Sequence, residues 1–456
     1  MALTQLYNPA TAAPLAQIPQ TSAEETAAHI EAAHRAFPAW RDSDPSYKAG
    51  ILNRFAQLVE QNKQDLAALE VKNSGHPISN ALWEAGNAAE VLGYYAGAPH
   101  RLLGQQIPVS GGINVTYREA MGVVGVIVPW NFPLPIAAWG LAPALAAGNT
   151  VIVKPAELTP LTAIRLAELA KEAGLPDGVL TVLPGKGSVV GQTLLEHPLV
   201  RKIVFTGSTQ VGKKVLGSCA QQVKRVTLEL GGKNSNIIFA DADLEKAAAA
   251  APAGVFDNAG QDCCSRSRLL VQRSVYEKFM SYFERAVQDF RVENPWLETS
   301  QMGPLISADH AQKVQAYIAA GRVAFTGSCP QGPGNWVAPT VLMPDSQEAA
   351  DFKEEIFGPV VSVLAFDDEQ QAIELANNTD YGLSGSIWTS SLDRAVRVSR
   401  AVQSGNLSVN SHSSVRFWTP FGGFKQSGLG RELGPDALEA FTETKNVFYA
   451  VNEWRG

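Results

Sequence analysis

The chain has 456 residues, about three times a typical domain, so two or three substructures are expected rather than one small module. Hydrophobic residues make up 45% of it, which excludes a disordered chain, yet no apolar run reaches the roughly 18 residues of a bilayer-spanning helix. A net charge of −7 from 37 basic and 44 acidic side chains, without a long block of either sign, argues against nucleic-acid or membrane partners and for a small molecule.

The opening, MALTQLYNPATAAPL, has no basic flank leading into an apolar stretch and does not read as a targeting segment, so the cytoplasm is the expected compartment. Ala28 to Phe37, Tyr47 to Leu69 and Ser79 to Ala96 carry apolar residues three and four apart, which predicts a mainly helical first hundred residues. From residue 113 the texture changes. Asn114 to Glu119 alternates, and Val123 to Val128 is almost wholly β-branched, as in a strand entering a buried sheet. Strands are then predicted near 150–154, 179–183, 202–206 and 225–230, and helices near 135–147, 160–173, 188–196 and 209–220. Alternation of this kind implies crossover connections and a parallel sheet. Gly207, Gly212 and the Leu183-Pro184-Gly185-Lys186-Gly187 segment fall where strands give way to helices, the edge at which such a sheet binds nucleotides, although no G-x-G-x-x-G occurs there.

A second alternating block begins near Asn234, with strands near 235–239, 268–272, 359–366, 383–388 and 406–410. The chain closes on Asn446 to Val451, a short strand after a helix, whose edge needs cover. The fold class is therefore α/β. Four cysteines (Cys219, Cys263, Cys264 and Cys329) cannot build a disulfide framework in so long a chain, and no C-x-x-C or H-E-x-x-H marks a metal site, so no metal is expected.

Several strand ends carry a polar residue held by Gly or Pro: PWNFP at 129–133, KPAE at 154–157, ELGGK at 229–233 and GQDC at 260–263. With FTGSTQVG, EEIFGPV and PFGGFKQSG, these motifs in this order resemble the NAD(P)-dependent aldehyde dehydrogenase superfamily, from about Asn8 to about Val451. The resemblance implies a Rossmann-like parallel-sheet cofactor domain over 1–100 and 121–231 and an α/β catalytic domain over 232–430. It adds a small β oligomerisation element over 101–120 and 440–456 that pairs subunits into a homodimer or homotetramer. By the same resemblance Cys263 is the nucleophile, Glu229 the general base, Asn131 the oxyanion donor and Glu432 a member of the proton relay. Lys154 and Glu157 match positions that hold the adenosine ribose, Gly207 and Ser208 the pyrophosphate turn, and Glu355 and Phe357 the nicotinamide ribose. Pro129, Trp130, Gly187, Leu230 and Gly231 complete the cofactor site. The chain departs from many relatives in carrying Gly140 where they place a lysine that helps the general base exchange its proton.

The residue types fit that chemistry. A thiol is strongly nucleophilic toward a carbonyl, so Cys263 can attack an aldehyde. The tetrahedral oxyanion needs preorganised donors, which the Asn131 amide and the Cys263 backbone N–H would supply, one such donor being worth roughly 3 to 4 kcal/mol. Once hydride has left, the thioester must be hydrolysed by water that a carboxylate such as Glu229 activates. Successive residues of an extended segment point to opposite sides, so Cys264 is expected to face away from the site. A carboxylate at Glu157 hydrogen-bonds ribose hydroxyls and repels a 2′-phosphate, which favours NAD over NADP.

The resemblance places Phe132, Trp139 and Phe421 along the aldehyde tunnel, with Ile136 and Val415 nearby. Asp262 precedes the nucleophile and Asp257 lies six residues before it, and acidic groups favour a cationic tail. GQDC is also similar to the aminoaldehyde dehydrogenases, and Glu84 is expected to add an acidic contact at the tunnel mouth, whereas Arg266 and Arg416 would favour a carboxylate, as in a γ-glutamylated aminoaldehyde. His412 and Trp418 are expected to shape the entrance. The alternatives are a dehydrogenase of broad aliphatic, aromatic or semialdehyde range and a CoA-acylating enzyme, which has no need of Glu229. Beyond dehydrogenases they are a catalytically retired binding protein and a cysteine esterase.

Overall fold

The computed structural model describes residues 2–413 and 415–451. Among these, no helix is long and apolar enough to cross a membrane. The helical start is built from four helices, Ala23–Arg41, Pro45–Gln61, Lys63–Ser74 and Ile78–Ala96. Ser22 and Glu25 close a reciprocal capping box on the first, each side chain accepting from the other's backbone N–H. The single helical stretch expected from Tyr47 to Leu69 is two helices. Asn62 ends the first of them, its side-chain amide donating to the Leu58 carbonyl at 2.8 Å and so replacing the next backbone bond.

The first sheet has six strands in the order Gly428–Leu429, Arg225–Glu229, Val200–Thr206, Val123–Ile127, Thr150–Lys154, Leu180–Val182. All pair in parallel except Gly428–Leu429, which runs antiparallel to the strand carrying Glu229. Strand order therefore reverses between Val123–Ile127 and Val200–Thr206, and the crevice beyond their carboxyl ends is where an open parallel sheet receives a ligand. Pro129, Trp130 and Asn131 leave one of these strands, and Gly207 and Ser208 leave the other. The helix Pro133–Ala146 is buried along its whole length, which matches its lack of charge.

The second sheet has seven strands, ordered Val323–Thr326, Thr340–Leu342, Val360–Phe366, Arg268–Gln272, Ser235–Ile238, Ser384–Trp388, Asn406–Val409. Only the first pair is antiparallel. That antiparallel hairpin was not predicted, and neither was the pairing of Leu3–Tyr7 with Pro14–Pro19. A third sheet of Thr442–Ala450, Gly112–Ala120 and Gln106–Ile107 presents Ile113, Tyr117, Phe448 and Tyr449 to solvent. Its terminal strand begins four residues before the expected Asn446, and residues 452–456 of the expected oligomerisation element lie outside the described residues.

Candidate active site

Three left-handed residues in a row, Asn258 (φ 49°), Ala259 (φ 55°) and Gly260 (φ 70°), bring the chain round to Cys263. A non-glycine residue in this region costs roughly 1 kcal/mol or more, so the turn persists because its surroundings hold it. Gln261 does much of the holding: its Nε2 donates to the Asn258 carbonyl and its Oε1 accepts from Ile306 N–H. A Cβ on Gly260 would lie 2.0 Å from the Gly358 carbonyl oxygen, so no other residue fits there.

Asn131 is drawn into the same network. Its Nδ2 donates to the Gln261 carbonyl at 2.9 Å and its own carbonyl accepts from Asn258 Nδ2 at 2.8 Å. One N–H of the Asn131 amide remains for a further acceptor. Asn234 Nδ2 in turn holds the Cys263 carbonyl at 2.7 Å, and the bare Cα of Gly232 makes room for that oxygen.

Two cavities meet at this turn. The smaller, about 200 Å³, is lined by Pro129, Trp130, Asn131, Thr206, Gly207, Ser208, Leu230, Gly231, Cys263, Glu355 and Phe357. Eight of the eleven expected cofactor residues are therefore together. The other three gather one strand further along the sheet, where Glu157 Oε1 accepts from Gly187 N–H at 3.1 Å and Lys154 is buried within the field of Glu157. Glu355 accepts from Gly232 N–H at 2.8 Å, and its carboxylate occupies the space that a Cβ on Gly231 would need. Burial pushes its carboxyl up to about 7. Phe357 packs against Trp130 and presents its carbonyl to His310, a residue the sequence reading did not single out.

The larger cavity, about 240 Å³, is lined by Phe132, Ile136, Trp139, Asp257, Asp262, Val415 and Phe421, the seven expected substrate residues, together with Glu229, Glu432, Cys263 and Cys264. Thr206 and Cys263 line both cavities. Trp83 and Thr206 went unnoticed in the sequence. Thr206 had a usable signal, since it immediately precedes the glycine of the FTGS turn, whereas nothing distinguishes Trp83 from a surface aromatic.

Three expectations need correcting. Cys263 and Cys264 occupy a turn, not an extended strand, so the alternation argument fails and both residues line the larger cavity. Glu84 lies 1% exposed in a pair with His76 and is no part of the tunnel mouth. Arg416 and Trp418 are exposed and do not line the cavity, while Arg266 does, its guanidinium donating to the carbonyls of Cys264 and His412 and to Ser386 Oγ. His412 also lines it.

The electrostatics run against ionisation. A hydrogen bond to Cys264, followed by burial, raises the Cys263 thiol well above its ordinary value. Burial and then the neighbouring Glu432 raise Glu229 well above the carboxylate range, and burial puts Glu432 at about 7. None of the four oxygens of these two carboxylates has a hydrogen-bond partner. Burial raises the proton affinity of both groups and repulsion by Glu432 adds to it at Glu229, which suits a site that must take up and release protons. Gly140 offers no room for a lysine: a Cβ there would lie 2.7 Å from Val126 Cγ1.

Comparison with known proteins agrees with this arrangement. The profile of the Aldehyde dehydrogenase family matches residues 2–447. The NADP/NAD-dependent aldehyde dehydrogenase PuuC of Escherichia coli (strain K12) is 41% identical over 98% of this chain and 92% of its own. Retinal dehydrogenase 2 of Gallus gallus is 41% identical over 97% of this chain and 88% of its own. Among solved structures, the NAD+ complex of aldehyde dehydrogenase from Bacillus cereus superposes with a TM-score of 0.96 at 38% identity, covering 99% of this chain and 94% of that one. With the family profile spanning nearly its whole length, the chain belongs to the aldehyde dehydrogenase family.

Proposed function

We propose that this aldehyde dehydrogenase oxidises an aldehyde to the carboxylic acid through a covalent bond to Cys263, with NAD as hydride acceptor. The carrying observation is that Cys263 is, among the described residues, the one thiol lining both cavities, with Asn131 at its side. A carbonyl bonded to its sulfur would lie against the free N–H of Asn131 and the Cys263 backbone N–H, where the developing oxyanion is stabilised. Because the thiol starts protonated, attack needs a base, and the ionised form of Glu229, whose affinity for a proton is raised by burial and by Glu432, takes that proton. When bound, NAD supplies the acceptor for the hydride that the substrate carbon loses. Glu229 releases the thiol's proton to solvent before hydrolysis, then removes a proton from the water that attacks the thioester and returns it to the Cys263 sulfur as the acid departs.

The residues fit the dinucleotide. Gly207 and Gly231 leave backbone bare at the cavity wall, and Glu157 stands beside Gly187 where a 2′-phosphate would be repelled, which favours NAD over NADP. Asp257 and Asp262 give the larger cavity its acidic character. Arg266 lies in the same cavity and its charge acts on Asp262, which leaves Asp257 as the carboxylate it offsets least. The proposed substrate is therefore an aminoaldehyde, free or γ-glutamylated. The proposed organisation keeps a cofactor domain over 1–100 and 121–231, a catalytic domain over 232–430 and an oligomerisation element over 101–120 and 440–456. Apolar side chains exposed on the third sheet support a homodimer or homotetramer, and the proposed compartment is the cytoplasm. The test is trapping: with aldehyde supplied and Glu229→Gln blocking hydrolysis, mass spectrometry is expected to find an acyl adduct on Cys263. An adduct on Cys264 alone, or none, would overturn the assignment.

A further inference from the structure

Behind the Phe132 wall of the larger cavity, the hairpin between Lys63–Ser74 and Ile78–Ala96 buries three ionisable side chains together. Glu70, His76 and Glu84 are 1%, 2% and 1% exposed, and one ligand atom from each lies within 4.8 Å of the others. We infer that these three residues bind one divalent transition-metal cation of the Zn2+, Mn2+ or Co2+ class.

The charge balance points to a cation. Two carboxylates are buried here, Asp257 adds a third negative field on His76, and among the described residues no lysine or arginine pairs with either glutamate. Without an ion His76 is, among the described residues, the partner of Glu84 alone; with the imidazole neutral and ligating, the two carboxylates supply the charge that a divalent ion cancels. Buried charges are otherwise paired or metal-bound. The donors are also incompletely used. His76 Nδ1 meets Glu84 Oε1 at 2.6 Å, but Glu84 Oε2 is buried without a partner. Thr162 Oγ1 donates to Glu70 Oε1 at 2.7 Å, the kind of outer contact that orients a ligating carboxylate. An imidazole nitrogen with two carboxylates selects a transition metal over Ca2+ or Mg2+, which prefer all-oxygen sites. Bonds of about 2.0–2.2 Å set ligand atoms roughly 3–4 Å apart. That is inside the 4.8 Å within which these three atoms already lie, and His76 Nδ1 and Glu84 Oε1, now 2.6 Å apart, would open to admit the ion.

Such an ion would brace the substrate cavity from behind. The His76 ring lies against Phe132, with centroids 5.7 Å apart, and Phe132 lines that cavity between Asn131 and the buried helix Pro133–Ala146. His76 is thus a positioning residue, and the ion takes no part in the redox step.

The experiment titrates Co2+ into chelator-treated enzyme. One equivalent per chain is expected, giving weak visible absorption without the intense near-ultraviolet band of a cobalt–thiolate bond. His76→Gln and Glu84→Gln should each weaken uptake by about tenfold or more. If either variant fails to fold, the parent still decides: Co2+ should raise its melting temperature and the chelator should reverse the rise. The inference is overturned by no uptake, by a thiolate band showing that Asp262, Cys263 and Cys264 took the ion, by unchanged uptake in both variants, or by an unmoved melting temperature.

Discussion

On the cofactor side of Cys263 much of the wall is backbone, with Gly207, Gly231 and Ser208 leaving strand ends of the switch-point sheet beside Trp130, Leu230, Glu355 and Phe357. On the substrate side they are large side chains from distant segments: Phe132 and Trp139, Asp257 and Asp262, Val415 and Phe421. The first cavity is defined by where a Cβ cannot be, since one on Gly231 would meet Glu355 Oε2 at 2.2 Å. Such a wall tolerates little change. The second is defined by which side chains happen to face inward, and can be altered residue by residue. Substitutions at the junction should therefore stop the reaction, and substitutions outward along the larger cavity should only retune it.

Cys263→Ala gives the largest effect, because it removes the atom that bonds to substrate. Aldehyde-dependent NADH formation should fall to background, while Cys264→Ala stays within a few-fold of the parent, as Cys264 reaches only one cavity. Equal losses in both would erase the distinction between the cavities. Glu229→Gln comes next: one equivalent of NADH should form rapidly and turnover then slow by about 10² to 10⁴, seen as a burst in stopped flow.

The backbone-walled side was the more legible in the sequence, for a physical reason. Glycines at strand ends and β-branched runs such as Val123 to Val128 are local signals, and they mark the strand-to-helix edge of a parallel sheet without its strand order. Side-chain direction is not local. The turn that aims Cys264 into the cavity depends on left-handed Asn258 and Ala259, which only the surrounding hydrogen bonds impose. The burial of Glu84 depends on a histidine eight residues earlier in a different element. The hairpin of Val323–Thr326 and Thr340–Leu342 was missed because one strand is largely exposed and the other only three residues long, so neither carries a clear period.

Glu432→Gln tests the proton-holding pair. Removing its charge leaves burial acting on Glu229 but takes away the repulsion, so the alkaline-rising limb of thioester hydrolysis should move toward acid pH. Stability should respond in the matching sense. Both carboxyls are raised in the folded chain, so they contribute most below the unfolded value of about 4.5 and lose that contribution as pH rises, Glu432 through about 7. Glu432→Gln should flatten that fall in melting temperature between those limits. An unmoved hydrolysis limb would separate Glu432 from the base.

Asp257→Asn is the smallest change and the one that sharpens the reading of the outer cavity. Asp257 accepts from Asn80 Nδ2 and from Asn258 N–H, so an amide can be held in its place. Burial raises its carboxyl to about 6, with Asp262 adding to the rise. Above that pH it is charged and should attract a cationic tail; below it the attraction disappears. The parent's kcat/KM ratio for an aminoaldehyde over a neutral aldehyde of equal length should therefore climb as pH rises through about 6. In Asp257→Asn the ratio should fall by about tenfold at pH 8, which is about 1.4 kcal/mol, and lose that climb. A variant that retains both the ratio and its climb would assign the preference to Asp262, and a parent with no preference at any pH would leave the larger cavity to uncharged aldehydes.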